Sequence, residues 1–136
     1  MRVVVFACVH SAGRSQMAAA WFNRLADPAK ARAVAAGTQP AEHVHPVVVE
    51  AMKEAGIDLS AARPQLLTSQ VLSEASHLIT MGCGEQCPVA PPGVRRSDWE
   101  LEDPKGGPIE RVRPIRDEIE RRVATFVREN GLAAVR

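Results

Sequence analysis

Val3-Val4-Val5-Phe6-Ala7 is a short apolar run that breaks directly into Cys8-Val9-His10-Ser11-Ala12-Gly13-Arg14-Ser15. β-Branched residues packed without alternation mark a strand buried on both faces, the usual state of a strand inside a parallel sheet. A glycine-bearing loop over His10 to Gly13 follows. From Arg14 the apolar positions Met17, Ala20, Trp21 and Leu25 recur at the helical period, and Asp27-Pro28 ends that helix. Strand, loop and helix in this order open a βαβ unit, and the rest of the chain repeats the alternation. Ala31 to Ala36 reads as a second strand closed by Gly37. Pro46 opens a helix that buries Val47, Val48, Ala51, Met52 and Ala55 and stops at Gly56. Thr68 to Glu74 is a short helix, His77 to Met81 a third strand and Val94 to Trp99 a weaker fourth. Val112, Ile115, Ile119, Val123 and Phe126 form the apolar stripe of a last helix. The pattern is α/β, with a parallel sheet covered by helices on both faces.

The chain has 136 residues, 46% hydrophobic and 24% charged, which suits one domain over residues 1–136 and excludes a disordered, collagen-like or disulfide-dense polypeptide. With 17 basic and 16 acidic side chains it has no electrostatic footprint for nucleic acid or for an anionic membrane. Aromatics reach only 4% and tyrosine is absent, so a base-stacking surface is not expected. No apolar run is long enough for a transmembrane helix, and the N-terminal run lacks the layout of a secretory signal. The expectation is a cytoplasmic monomer.

The loop after the first strand carries chemistry. Backbone N–H groups of a loop leading into a helix N-terminus converge on one point and favour an anion there, so Val9, His10, Ser11, Ala12, Gly13 and Arg14 form an oxyanion cradle. Arg14 on the first helical turn can hold two oxygens of a tetrahedral oxyanion bidentately. The same field favours the thiolate of Cys8, the nucleophilic form. Ser15 can donate a hydrogen bond to that sulfur and help it leave. His10 reads as a residue shaping the cradle rather than as a general base. Attack on an oxyanion needs a proton delivered to the leaving oxygen, and Asp103, stiffened by Pro104 in an otherwise turn-like acidic loop, is the candidate acid.

Cys83 and Cys87 follow the third strand on a glycine- and proline-rich segment. In a parallel sheet the loops after strands one and three share the carboxyl edge, which places both thiols near Cys8. Three readings stand open. In a redox relay Cys8 carries an adduct, one further thiol resolves it, and the other passes the disulfide outward. In a zinc site the pair needs a second pair of ligands, for which His43 and His45 are the available partners, although both also read as exposed loop residues. Two inert thiols are the third reading. The relay is the one that uses all three cysteines.

Taken together, Cys8 to Ser15, the continuation Gln16-Met17-Ala18, Asp103-Pro104 and the cysteine pair resemble the arsenate reductases built on the low-molecular-weight protein tyrosine phosphatase fold. Ala36-Gly37-Thr38, Gly56-Ile57-Asp58 and Arg113-Pro114-Ile115-Arg116-Asp117 extend the resemblance over nearly the whole chain. It implies a three-layer sandwich around a four-stranded parallel sheet. It also implies that Cys8 attacks arsenate held by the loop amides and Arg14, and that Asp103 protonates the departing hydroxide. Cys83 then attacks Cys8, releasing arsenite, and Cys87 leaves a Cys83–Cys87 disulfide for thioredoxin, with no bound cofactor or metal. Glutaredoxin, or mycothiol with mycoredoxin, serves other relatives. Two departures stand out. Ser11 occupies a position where the family often has Asn, which in some members orders a potassium site, and this puts potassium dependence in doubt. Cys83 and Cys87 are also closer together than in the better-described thioredoxin-coupled members.

Two rival functions fit parts of the sequence. A phosphatase for phosphotyrosine or a small phosphoester would use the same cradle and acid. Yet such enzymes usually set tyrosines beside the acid aspartate, whereas Lys105-Gly106-Gly107 follows Asp103-Pro104 here. A non-enzymatic oxyanion-binding module would need neither Asp103 nor the extra thiols.

Overall fold

The computed structural model describes residues 2–82 and 90–134. In chain order its elements are β1 (Arg2–Cys8), α1 (Arg14–Leu25), β2 (Ala31–Gly37), α2 (Pro46–Glu54), α3 (Ser69–Ser73), β3 (His77–Thr80), β4 (Arg95–Asp98) and α4 (Ile109–Glu129). The sheet runs β2-β1-β3-β4, and each neighbouring pair is parallel.

The unbroken apolar run of β1 follows from its central place in this order. Val4, Phe6 and Cys8 point into the larger core, which they share with Met17 and Phe22 of α1, Val48 and Met52 of α2, and Val112, Ile119 and Val123 of α4. Val3, Val5 and Ala7 point the other way, into a smaller core with Leu72 of α3, Ala75 and Leu78. The two-residue period of a strand thus divides one sequence run between two layers of helix. Phe6 is wholly buried and stacks edge-on against Phe22 at 6.1 Å and obliquely against Trp99 at 5.6 Å, while Phe126 closes the cluster against both partners.

Local chemistry fixes the element ends. Thr68 caps α3 by accepting from the Val71 N–H at 3.1 Å. Pro46 begins α2, where its missing N–H costs nothing, and Gly56 beyond its end takes φ 83°. The β2 edge is covered by Asn23 of α1: its amide accepts from Ala33 N at 2.8 Å and donates to Ala33 O at 3.1 Å, like one rung of a further strand. From β1 the chain passes to β2 on one side and later returns to β3 on the other. The carboxyl ends of β1 and β3 therefore form the switch point of the sheet, where open α/β sheets bind ligands.

Candidate active site

Cys8 is the last residue of β1 and is 5% exposed. The loop that follows is held from outside by its carbonyls. Val9 O accepts from Gln39 N at 2.8 Å, His10 O from Ala41 N at 2.9 Å, Ala12 O from His45 N at 2.9 Å and Gly13 O from Met17 N at 3.0 Å. Ser11 O accepts from Gln16 Nε2 at 2.9 Å. Among the described residues, none of the N–H groups of His10 to Arg14 donates to protein. With every carbonyl tied outward, these amides at the α1 N-terminus are left for an anion.

Ser11 is wholly buried and has φ 51°, the left-handed region that few non-glycine residues adopt. Asparagine tolerates that region better than serine does, which gives a physical reason for the asparagine expected at this position. Here the hydroxyls of Ser15 and Gln16's amide approach Ser11 Oγ at 3.4 Å each, so its hydrogen-bond partners are neutral and include no carboxylate. The Cys8 thiol donates to Ser15 Oγ at 3.1 Å. With the sulfur ionised, the same separation lets the hydroxyl donate instead.

Arg14 is pinned from above. Its Nη1 donates to Leu101 O at 3.0 Å, and its Nη2 lies 3.8 Å from Asp103 Oδ2. Arg14 is 10% exposed at the side chain and Asp103 52%, so the guanidinium is sunk in the cleft while the carboxylate stands at its mouth. Asp103 Oδ1 accepts from Lys105 N at 2.9 Å, the local turn that orients the carboxyl group. Pro104 is buried against the loop, since a Cβ on Gly13 would lie 3.0 Å from its Cγ.

Cys8, Val9, His10, Ala12, Gly13, Arg14 and Asp103 line one cleft of about 220 Å³, together with Gln39 and His45. Ser11 and Ser15 are wholly buried and do not line it. Cys83 and Cys87 fall outside the described residues. The structure does reach Gly82, with φ 78°, where a Cβ would lie 3.2 Å from Arg14 Nη1. Among the described residues no group of three or more His, Cys, Asp or Glu is placed to hold a metal ion, and no helix is long and apolar enough to cross a membrane.

Three contributors escape the sequence reading. Gln39 and His45 reach the cleft from the loop between β2 and α2, and Gly37 makes room for the cradle. The sequence leaves His45 open between a zinc partner and an exposed loop residue; in the fold it is half-buried. Burial holds its pKa below the ordinary 6.5, Asp103 opposes that shift, and Lys105 and His10 reinforce it. The histidine directly before a helix-opening proline was the available signal, because Pro46 fixes where residue 45 must stand.

A strand-end thiol, a loop of free amides, a buried arginine and a carboxylate at the mouth thus meet at one edge of a parallel α/β sheet. The low molecular weight phosphotyrosine protein phosphatase family matches residues 3–134, and the chain belongs to that family. It is 41% identical, over 91% of its length and 89% of the relative's, to a Halobacterium salinarum protein provisionally named an arsenate reductase. A thioredoxin-dependent arsenate reductase from Corynebacterium glutamicum superposes with a TM-score of 0.78 at 36% identity, over 95% of this chain and 60% of that one. This chain thus spans under two thirds of that reductase. An arginine phosphatase from Geobacillus stearothermophilus superposes with a TM-score of 0.84 at 27% identity, over 96% and 94% of the two chains.

Proposed function

We propose that this protein reduces arsenate to arsenite in the cytoplasm, as a single domain, drawing electrons from thioredoxin. The observation that carries the reading is the position of Gly82. Gly82, the residue bonded to Cys83, abuts the Arg14 guanidinium, so the last described residue before the two further thiols stands at the cleft.

Cys8 thiolate attacks arsenic, and Asp103 gives its proton to the departing oxygen, which leaves as water. Cys83 then attacks the Cys8 sulfur. A Cys8–Cys83 disulfide forms, the arsenic–sulfur bond breaks, and its electron pair stays on arsenic, which leaves as arsenite. Cys87 attacks Cys83, frees Cys8 and leaves a Cys83–Cys87 disulfide for the thioredoxin dithiol to reduce. Each turnover transfers two electrons, and the cleft needs no bound metal for any of these steps.

The walls of the cleft support an inorganic substrate over an aryl ester. All three Phe side chains and Trp99 are packed with one another, Trp21 is 6% exposed, and none of them lines the cleft. The arginine phosphatase likeness keeps a phosphatase as the second reading. The deciding assay follows NADPH oxidation on adding arsenate with thioredoxin and thioredoxin reductase, for wild type and Cys83→Ser. Turnover in the wild type that disappears in the variant is the expected result. Should thioredoxin, glutaredoxin and mycothiol with mycoredoxin all fail while both proteins hydrolyse p-nitrophenyl phosphate equally, the phosphatase reading replaces this one.

A further inference from the structure

Two imidazoles stand at the mouth of the cleft, and they are differently engaged. His10 Nδ1 donates to Gln39 O at 3.0 Å, which fixes the tautomer and leaves only an acceptor nitrogen on the neutral ring. His45 occupies the N-cap position of α2, yet its side chain makes no capping bond, and among the described residues neither ring nitrogen has a hydrogen-bond partner. Its place is nevertheless fixed. The His45 N–H is bonded to Ala12 O at 2.9 Å, and a Cβ on Gly13 would lie 3.4 Å from the ring's Cδ2. The same Cβ would lie 3.0 Å from Pro104 Cγ, so the ring and the acid loop both approach the cradle at Gly13. A half-buried imidazole that lines a polar cleft and has no partner among the described side chains keeps an N–H free to donate to a ligand held there.

We propose that His45 is a substrate-binding residue, donating an N–H to the oxygen of the bound oxyanion that faces away from Cys8. This rests on the reading of the cleft as an oxyanion site. The loop amides and Arg14 account for the oxygens nearest the loop, and the remaining one points toward Asp103 and His45. In an inorganic oxyanion that oxygen is bare or protonated and can accept the bond, whereas in an ester it carries an organic group that would meet the ring and Pro104. His45 therefore selects for the inorganic anion.

The charged and titratable groups around the ring are Cys8 at the end of β1, Arg14 and His10 from the first loop, and Asp103 and Lys105 from the acid loop. A bound anion adds negative charge beside the imidazole and must raise its titration midpoint. The test is an NMR titration of the histidine Cε1–H resonances of the reduced protein, with and without saturating inorganic phosphate. His45 is assigned by its loss in His45→Ala. The expected result is an upward movement of the His45 midpoint on the order of one unit. His77, at the opposite edge of the sheet, stays where it is. Calorimetry should show phosphate binding weakened roughly fivefold in His45→Ala, the scale of one hydrogen bond, and largely restored in His45→Gln, which keeps a side-chain N–H. Phosphate that binds while the His45 midpoint stays still overturns the inference and leaves the oxyanion site standing. No binding of phosphate at all removes the site and the inference together. Failure of arsenate reduction beside an intact His45 response removes only the choice of arsenate as substrate.

Discussion

A methyl group on Gly37 would meet backbone on three sides: Val9 O at 2.6 Å, Cys8 O at 2.9 Å and Ser11 N at 2.9 Å. None of these atoms can swing aside as a side chain could, so Gly37→Ala must push the cradle away from the end of β2. The cost should be about 1 to 3 kcal/mol of stability, as for other overpacked sites. Phosphate affinity should fall as well, because the amides of residues 10–14 no longer converge. Urea unfolding and calorimetry on the same variant check both, and a variant of wild-type stability with wild-type affinity would refute the close-approach argument. Gly37 also shows where reading the sequence stops. Cys8, Arg14 and the loop between them were legible because one local segment carries the thiol, the amides and the cation. Gly37, Gln39 and His45 matter only through contacts across space with that segment; neither spacing nor type announces those of Gly37 and Gln39, and the one signal for His45 is the helix-opening proline that follows it. Asp103 was legible through its chemistry, as the acid that a thiol nucleophile requires.

Among the elements, those with a strong period were legible and those without one were legible only in outline. The weak reading of the fourth strand has a plain cause: Arg95–Asp98 is exposed at every position, so β4 offers no apolar alternation. The start of α4 was hidden for another reason. The helix begins at Ile109 with Pro108 as its N-cap and runs through Pro114, so of the two prolines only Pro108 stands at the boundary. Beyond the apolar core that α2 and α4 share, charge joins them at the surface. Arg113 holds Glu54 with Nε at 2.9 Å and Nη2 at 2.7 Å, and Arg116 Nη1 reaches both Glu54 at 3.1 Å and Ala51 O at 2.9 Å. The Arg113 hydrogen bonds, aided by Arg116, pull the Glu54 pKa from 4.5 down to about 2. A carboxylate lowered in the folded state stabilises it fully above its unfolded value and loses that contribution as pH falls through the folded one. Glu54→Gln should therefore lower the thermal midpoint above pH 4.5, and the gap from wild type should close as pH approaches 2. A gap that stays constant across that window would show that the ion pair is not its source. Because α2 carries His45 at its N-terminus, this contact also steadies one wall of the cleft.

Across the whole molecule, the cleft gathers distant parts of the chain. The cradle follows β1, Gln39 and His45 come from the connection to α2, Gly82 from the end of β3, and Leu101, Asp103 and Pro104 from the connection to α4. The contacts that Leu101, Asp103 and Pro104 make with Arg14 and Gly13 thus join distant ends of the sequence, and the parallel sheet is what brings them to one edge. The free amides and the buried Arg14 guanidinium meet there, and among the described residues the carboxylate paired with that guanidinium is Asp103, at 3.8 Å. Filling the cleft with an oxyanion should satisfy these groups only in the folded chain, so binding must stabilise the fold as a unit. At phosphate one hundred times its dissociation constant the gain is about 2.7 kcal/mol. For a domain of this size that corresponds to a rise of roughly ten degrees in Tm. The rise should grow with the logarithm of phosphate concentration, be reproduced by arsenate, and be lost in Arg14→Ala. Chloride at equal ionic strength should not reproduce it, since screening alone does not fill the site. Scanning calorimetry under reducing conditions decides the matter: a phosphate response of equal size in Arg14→Ala would mean that the anion stabilises the protein from somewhere other than this cleft.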